Sequence, residues 1–178
     1  MSLDLLTIPG VGGSIGMMAC PGQASPRIGA ASMHQCILED LSEVRSCGAV
    51  GVVSLLGTQE MRALNVGQLP SLLDKTGLWW RHLPIRDRDV PSREFEQCWL
   101  TEGRWIRAQF RDGKCVVLHC HAGLGRTGMI AARLLVEFGV SHQQAIELVR
   151  AARPGTIETS SQEEFVRRLP RGEPLAPG

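Results

Sequence analysis

Tyrosine is absent from this chain of 178 residues, and aromatic residues make up only 4% of it. The cysteines (Cys20, Cys36, Cys47, Cys98, Cys115 and Cys120) are scattered with no CxxC pairing. That argues against a disulfide frame and for reduced thiols in a cytoplasm. Charge of one sign is also lacking. Lys and Arg number 19 against 18 Asp and Glu, so no global basic field points to nucleic acid, and any preference for anions must be local. No apolar run approaches a membrane span. The opening stretch "MSLDLLTIPG" carries Asp4 and no basic residue, unlike a secretory signal. There is no internal repeat.

What is present is an ordinary globular balance, 43% hydrophobic and 21% charged, at a length that suits one domain with one core. A single domain over 1–169 is expected, with a Pro- and Gly-rich frayed tail over 170–178. Leu5–Ile8 and Ile15–Cys20 read as short strands among glycines and prolines. From Ser32 the apolar residues Cys36, Ile37, Leu41 and Val44 recur at helical spacing and stop at Gly48. The all-apolar "AVGVVSLL" (Ala49–Leu56) reads as a strand buried on both faces. Short helices are expected over Thr58–Leu64 and Leu69–Lys75, and another strand over Leu78–Ile85. A long helix follows over Ser92–Arg111, with Phe95, Trp99, Trp105, Ile106 and Phe110 towards one side. Cys115–His119 is the central strand. Helices over Thr127–Phe138, His142–Ala152 and Ser160–Leu169 close the chain. Strands alternating with helices give an α/β fold, a mostly parallel central sheet flanked by helices. Ligands in such sheets sit at the carboxyl ends of the strands.

At one such end lies "HCHAGLGRTG", His119–Gly128. Glycines at 123 and 125 allow positive φ angles, so that N–H groups turn inward. Inward N–H groups at a helix N-terminus make an anion nest, which favours a thiolate as it favours a phosphate. Arg126 adds a planar fork of donors that matches two phosphate oxygens. A nucleophile facing a phosphate held by dipoles and one guanidinium is equipment for displacement at phosphorus. A lone cysteine after an apolar strand is more often core. The complete spacing from Cys120 to Arg126 and Thr127 is what sets this one apart.

The stretch resembles the HCxxGxxR(S/T)G signature of cysteine-based protein tyrosine and dual-specificity phosphatases. The resemblance covers roughly residues 15–169 and is strongest to the kinase-associated (cyclin-dependent kinase inhibitor 3-like) branch. It implies a dual-specificity-phosphatase-like fold, with Cys120 as nucleophile and Arg126 as binder of the phosphate and transition state. Thr127 would stabilise the departing thiolate and His119 would tune the loop. The phosphate would be cradled by His121, Ala122, Gly123, Leu124, Gly125 and Arg126. In "LPIRDRDVP" the residues Pro84, Ile85, Asp87 and Pro91 fit that branch's PIxDxxxP, which implies Asp87 as general acid and leaves Asp89 a solvated loop carboxylate. Arg86 and Arg88 are exposed charges that could meet substrate. In "RPGTIETSSQ", Gln162 would help place the hydrolytic water. "ACPG" (Ala19–Gly22) also looks like that branch. The substrate implied is a phosphorylated protein or peptide, a kinase among the candidates. No cofactor, metal, nucleic acid or membrane is implied, and a monomer is expected. Leu124 stands where phosphoinositide-directed relatives carry lysine, and the tyrosine-bearing loop that deepens the classical tyrosine-specific pocket is missing. Both departures imply a shallow protein-phosphatase pocket.

Other readings weigh less. Asp87–Val90 spells DxDxV, the nucleophile motif of haloacid dehalogenase-type phosphatases, but that chemistry also needs later carboxylates to hold Mg²⁺, and after Asp89 the only aspartate is Asp112, in a helix-ending turn. His119, Cys120 and His121 are adjacent on an extended segment and so diverge, which does not make a metal site. Rhodanese-type sulfur transfer uses a shorter loop and no upstream acid. Low-molecular-weight phosphatases place the loop first and the acid late. A binding-only adaptor that docks a kinase would gain little from a thiolate. An enzyme acting on a small phosphorylated metabolite or an RNA 5′ end is also compatible, because the loop reads phosphate and not what carries it. Cys36, Cys47, Cys98 and Cys115 are expected to be buried, the four tryptophans mostly core, and His34, His82 and His142 surface or partly satisfied groups.

Overall fold

The computed structural model describes residues 3–23 and 32–172. The strands are β1 (Asp4–Thr7), β2 (Ser14–Met18), β3 (Ala49–Ser54), β4 (Trp79–His82) and β5 (Cys115–His119). They form one sheet in the order β1-β2-β5-β3-β4. Only β1, at the edge, runs antiparallel to its neighbour; the β2–β5, β5–β3 and β3–β4 pairs are parallel. The helices are α1 (Met33–Ser46), α2 (Thr58–Ala63), α3 (Leu69–Lys75), α4 (Arg93–Arg111), α5 (Gly125–Glu137), α6 (His142–Ala152) and α7 (Ser160–Arg168). The expected α/β architecture is the one observed.

The alternation along β5 divides the core. Val116 and Leu118 pack with Phe95, Ile106, Phe110 and the buried residues of α5, α6 and α7. Cys115 and Val117 pack on the opposite face with Ile37, Leu41, Leu69 and Leu72 of α1 and α3. Each fully buried aliphatic side chain contributes roughly 1.5–3 kcal/mol relative to exposure. The central strand is therefore held from both sides, as its unbroken apolar sequence requires. Cys120 follows with the parity of Val116 and Leu118 and belongs to the α5 side.

The helix starts follow their capping residues. Ser32, Ser92, Ser141 and Thr159 each accept a backbone N–H of the first turn, at Gln35, Phe95, Gln144 and Gln162. Strand β4 ends three residues earlier than expected, because Pro84 has no N–H to donate. The chain nonetheless stays beside the sheet: Leu83 N–H donates to Ser54 O at 3.0 Å and Ile85 N–H to Leu55 O at 3.0 Å. This continuation carries the "RDRD" loop to the carboxyl end of the sheet, next to the loop after β5.

Several burial expectations need correction. Of the four cysteines expected inside, only Cys115 is buried; Cys36 is half-buried, and Cys47 and Cys98 are exposed. Cys47 is the C-cap of α1 and Cys98 lies on the outer side of α4, so the helical period turns both away from the core. Among the tryptophans only Trp99 is fully buried. Trp79 and Trp105 pack edge to face at 4.6 Å near the rim, with the Arg81 guanidinium 4.3 Å from the Trp105 ring centroid. Residues 173–178 of the expected tail lie outside the described residues. Arg171 and Gly172 are tied down, by bonds to Gly139 O at 2.7 Å and Val136 O at 3.0 Å.

Candidate active site

The loop between β5 and α5 is shaped by its outer side. The Arg153 guanidinium holds two of its carbonyls, Gly123 O at 2.8 Å through Nε and Ala122 O at 3.1 Å through Nη2, and it also pairs with Asp4 at 2.5 Å. With these carbonyls fixed outward, the opposite edge of the peptide planes is left to the interior of the loop. Gly123 adopts φ +73, and a Cβ there would stand 2.1 Å from Met18 O. Only glycine fits that turn. Gly125 needs a different account from the one the sequence suggests. It is the first residue of α5 and has no positive φ; a Cβ there would come within 2.5 Å of the Glu158 carboxylate, which would have to move aside and give up its bond to the loop.

Glu158 also changes the expected cradle. Leu124, the N-cap of α5, provides no side-chain cap. Glu158 Oε2 fills that place from 33 residues away by accepting Gly125 N–H at 2.8 Å, a carboxylate at the positive end of a helix. In this structure Gly125 N–H is therefore committed to Glu158. The remaining residues of the expected cradle are His121, Ala122, Gly123, Leu124 and Arg126.

Cys120 lies at the bottom of the loop with 2% exposure. Arg126 is equally buried, and its guanidinium is fully engaged. Nη1 donates to Glu60 Oε1 and Oε2 at 3.0 and 2.9 Å and to Ile85 O at 3.0 Å. Nη2 lies 2.9 Å from Asp87 Oδ1. Burial alone would lower the Arg126 pKa, but the Glu60 hydrogen bond and the nearby anions outweigh it and the net shift is upward. Glu60 responds in kind: burial raises its pKa, and the Arg126 and Gly57 N–H bonds more than reverse this. A buried guanidinium is thus kept charged and held between Glu60, Ile85 O and Asp87.

His119, next to Cys120 in sequence, is fully buried, in a chain of hydrogen bonds whose directions can be assigned. Its Nδ1 lies 3.2 Å from Cys120 O, and a carbonyl only accepts, so Nδ1 carries the proton. Nε2 then accepts from the Ser54 hydroxyl at 2.6 Å, and Ser54 Oγ in turn accepts Trp80 Nε1–H at 2.8 Å. The imidazole is neutral in this arrangement. Burial pushes its pKa down in the same sense, from 6.5 to about 4. Between those values the unfolded chain binds a proton that the folded one does not. Stability from this group is present above pH 6.5 and is lost as pH falls towards 4, to an extent of roughly 3 kcal/mol. Thermal melts are expected to lose midpoint steadily through that window. NMR titration should show His119 neutral down to about pH 5. A His119 resonance titrating near 6.5 would contradict the assignment.

Thr127 is fully buried, and its Oγ1 finds no hydrogen-bond partner. Buried hydroxyls are seldom left so. Gln162 is also fully buried rather than superficial. Its Oε1 accepts Glu158 N–H at 3.0 Å and Thr159 N–H at 3.3 Å, and its Nε2 makes a long contact of 3.4 Å to Asp89 O. One side chain thereby links the start of α7 to the loop that carries Asp87 and Asp89. Within that loop, Asp89 Oδ1 accepts Val90 N–H at 2.8 Å, Asp89 N–H closes a turn onto Arg86 O at 3.1 Å, and Arg88 stands at φ +60. Ile157, beside the loop, holds a φ of +57 that is strained for a β-branched residue.

Of the residues the sequence singled out, the structure sets Asp87 on Arg126, His119 on the Cys120 carbonyl, and Gln162 against the loop of Asp89. It adds Glu60, Arg153 and Glu158, which sequence reasoning missed. Among the described residues no three His, Cys, Asp or Glu side chains converge on a metal position, and no helix is long and apolar enough to cross a membrane.

Comparison with known proteins agrees with this geometry. A family model described as "Polymorphic toxin system, DSP-PTPase phosphatase" matches residues 28–140. The chain is similar to human protein tyrosine phosphatase type IVA 3, at 32% identity over 104 residues, which cover 57% of this chain and 58% of that protein. It is similar to cyclin-dependent kinase inhibitor 3 of Sus scrofa, at 32% identity over 136 residues, covering 75% of this chain and 63% of the relative. The chain thus spans about six tenths of the length of these relatives. In fold it is similar to the crystal structure of kinase associated phosphatase with the catalytic-site cysteine replaced by serine. The TM-score is 0.77 at 24% identity, covering 93% of this chain and 92% of the other.

Proposed function

The chain belongs to the DSP-PTPase phosphatase family, and from that premise we propose that it is a protein phosphatase. It hydrolyses phosphotyrosine, with phosphoserine and phosphothreonine within its range, through a phosphocysteine intermediate. The observation that carries this reading is the Asp87–Arg126 ion pair at 2.9 Å. It sets the Asp87 carboxylate beside the arginine that ends the Cys120 loop, where a carboxyl group can exchange protons with the oxygens of a bound ester.

In the first step the Cys120 thiolate attacks phosphorus in line with the departing oxygen. The S–P bond forms, the P–O bond to the substrate breaks, and Asp87 gives its proton to the leaving oxygen. The N–H groups of His121, Ala122, Gly123, Leu124 and Arg126, with the Arg126 guanidinium, hold the equatorial oxygens. The incoming phosphate takes over the Arg126 donor that Asp87 occupies in the free protein; Asp87, released from the guanidinium and set beside the phosphate, takes up a proton from solvent and carries it to the leaving oxygen. In the second step Asp87 takes a proton from water, water attacks phosphorus, and the S–P bond breaks. The orphaned Thr127 hydroxyl donates to the thiolate that reappears. Gln162 Nε2, with its one long contact, is the group available to orient the water. His119 holds Cys120 O and so fixes the loop from below. No metal takes part.

The carrier of the phosphate is a polypeptide in this reading. Leu124 supplies no charge for a polyphosphorylated headgroup, and relatives named for kinases make a phosphorylated kinase the first candidate. A monomer working in a reducing cytoplasm accords with six free thiols. The deciding experiment is turnover in EDTA on a panel of phosphopeptides, small phosphate esters, phosphoinositides and 5′-phosphorylated RNA. Phosphopeptides should give the highest kcat/KM by an order of magnitude or more. A higher value on RNA or a metabolite would overturn the substrate class, and tight phosphopeptide binding without turnover would make the protein an adaptor.

A further inference from the structure

Beside the Cys120 loop lies an open pocket of about 570 Å³, lined by Gly57, Thr58, Gln59, Glu60, Arg86 and Asp87. It shares Glu60 and Asp87 with the candidate active site, so a chain bound with its phosphate in the loop passes this pocket first. Both of these carboxylates are already matched to Arg126. Thr58, Gln59 and Arg86 are exposed, and all three offer donors. Among the described residues the Arg86 guanidinium has no hydrogen bond or ion pair. Its backbone, by contrast, is fixed: Ile85 before it is pinned through N–H to Leu55 O and through O to Arg126, and Arg86 O closes the turn with Asp89 N–H. An uncommitted guanidinium on a fixed base, facing a pocket of donors at the mouth of the cleft, is matched to a second anion.

On the reading of the function given above, we propose that this pocket is a specificity subsite. It takes an anionic side chain close in sequence to the phosphorylated residue, with Arg86 as the residue that recognises it. The chemistry is that of an oxyanion, either an Asp or Glu carboxylate or a second phosphoryl group. Successive residues of an extended substrate are about 3.3–3.6 Å apart, and the occupant is the flanking residue whose side chain meets Arg86. Arg88, in the same loop, does not line the pocket and serves as the internal control.

The test is kcat/KM on phosphotyrosine peptides in which each flanking position carries Glu, phosphoserine, Gln or Lys in turn. The wild type should favour the anionic peptides at one position by roughly five- to tenfold, the scale of a partly exposed charge-assisted contact. The preference should shrink as salt rises. Arg86→Ala should erase it and Arg86→Glu should reverse it towards Lys, while Arg88→Ala keeps it. Turnover of p-nitrophenyl phosphate, which has no flanking residue for Arg86 to meet, should be unchanged in all three. No anionic preference in the wild type, a preference that survives Arg86→Ala, or equal loss on peptide and p-nitrophenyl phosphate would each overturn the subsite. Failure of the phosphatase reading would look different: the wild type would turn over none of the esters.

Discussion

Cys120→Ser is expected to lower kcat on p-nitrophenyl phosphate by roughly 10⁴-fold or more, because a serine hydroxyl with no adjacent base is a far weaker nucleophile than a thiolate. The same variant should keep its fold and its phosphate site. The side chain changes by one atom in a position with 2% exposure, and the groups that hold the anion belong to the backbone, to Arg126 and to Glu60 behind it. Inorganic phosphate should therefore bind Cys120→Ser within a few-fold of the wild type, or more tightly, since a neighbouring negative charge has been removed. The split between lost kcat and retained binding separates a nucleophile from a merely structural cysteine. A core cysteine replaced by a polar hydroxyl would lower the melting temperature and leave turnover largely in place. Residual turnover within tenfold of the wild type in EDTA would remove Cys120 from the chemistry.

The parts of this site legible in the sequence are those whose neighbours are near in the chain. "CVVLHCHAGLGRTG" declares a strand, a turn and a helix start within fourteen residues, so Cys120, Arg126, Thr127 and His119 come out together. Asp87 needed more than local pattern: the resemblance to PIxDxxxP singled it out, and the continuation of β4 past Pro84 supplied the physical reason that it arrives at the loop. Glu60, Arg153 and Glu158 were not legible, for a common reason. In "GTQEMRA" Glu60 looks like a capping residue on a short exposed helix, and it does bond Gly57 N–H at 2.8 Å. Its second role, on Arg126, spans 66 residues. Arg153 precedes a Pro-Gly turn and Glu158 a Thr-Ser-Ser cap, and each acts across about thirty residues on carbonyls or an N–H of the loop. Gln162 illustrates the same limit in reverse. The sequence marks it as the third residue of a helix, which it is, while its burial depends on where α7 packs. The misplaced cysteines share this cause, since thiol content predicts burial only on average and the helical phase decides individual cases.

Asp87 and Asp89 can be told apart by leaving group. Asp87→Asn keeps an oxygen that can face Arg126 but has no proton to give, so it should lower kcat on phosphotyrosine peptides by about 10²–10⁴-fold, the usual worth of a general acid. The loss should be smaller on p-nitrophenyl phosphate, whose phenolate departs readily without protonation. Asp87→Ala should behave alike, because Glu60 and Ile85 O still hold Arg126 when the ion pair is gone. Asp89 makes different bonds: its carboxylate accepts the N–H of the very next residue, and its backbone O meets Gln162. Asp89→Ala leaves the backbone contact intact and should cost no more than a few-fold in kcat, with stability changed by about 0.5 kcal/mol. Steady-state rates on both esters across pH decide the matter. Equal or reversed losses at the two aspartates would reject Asp87 as the acid. A loss independent of the leaving group would instead make Asp87 a positioning residue for Arg126, and recovery in Asp87→Asn relative to Asp87→Ala would say the same.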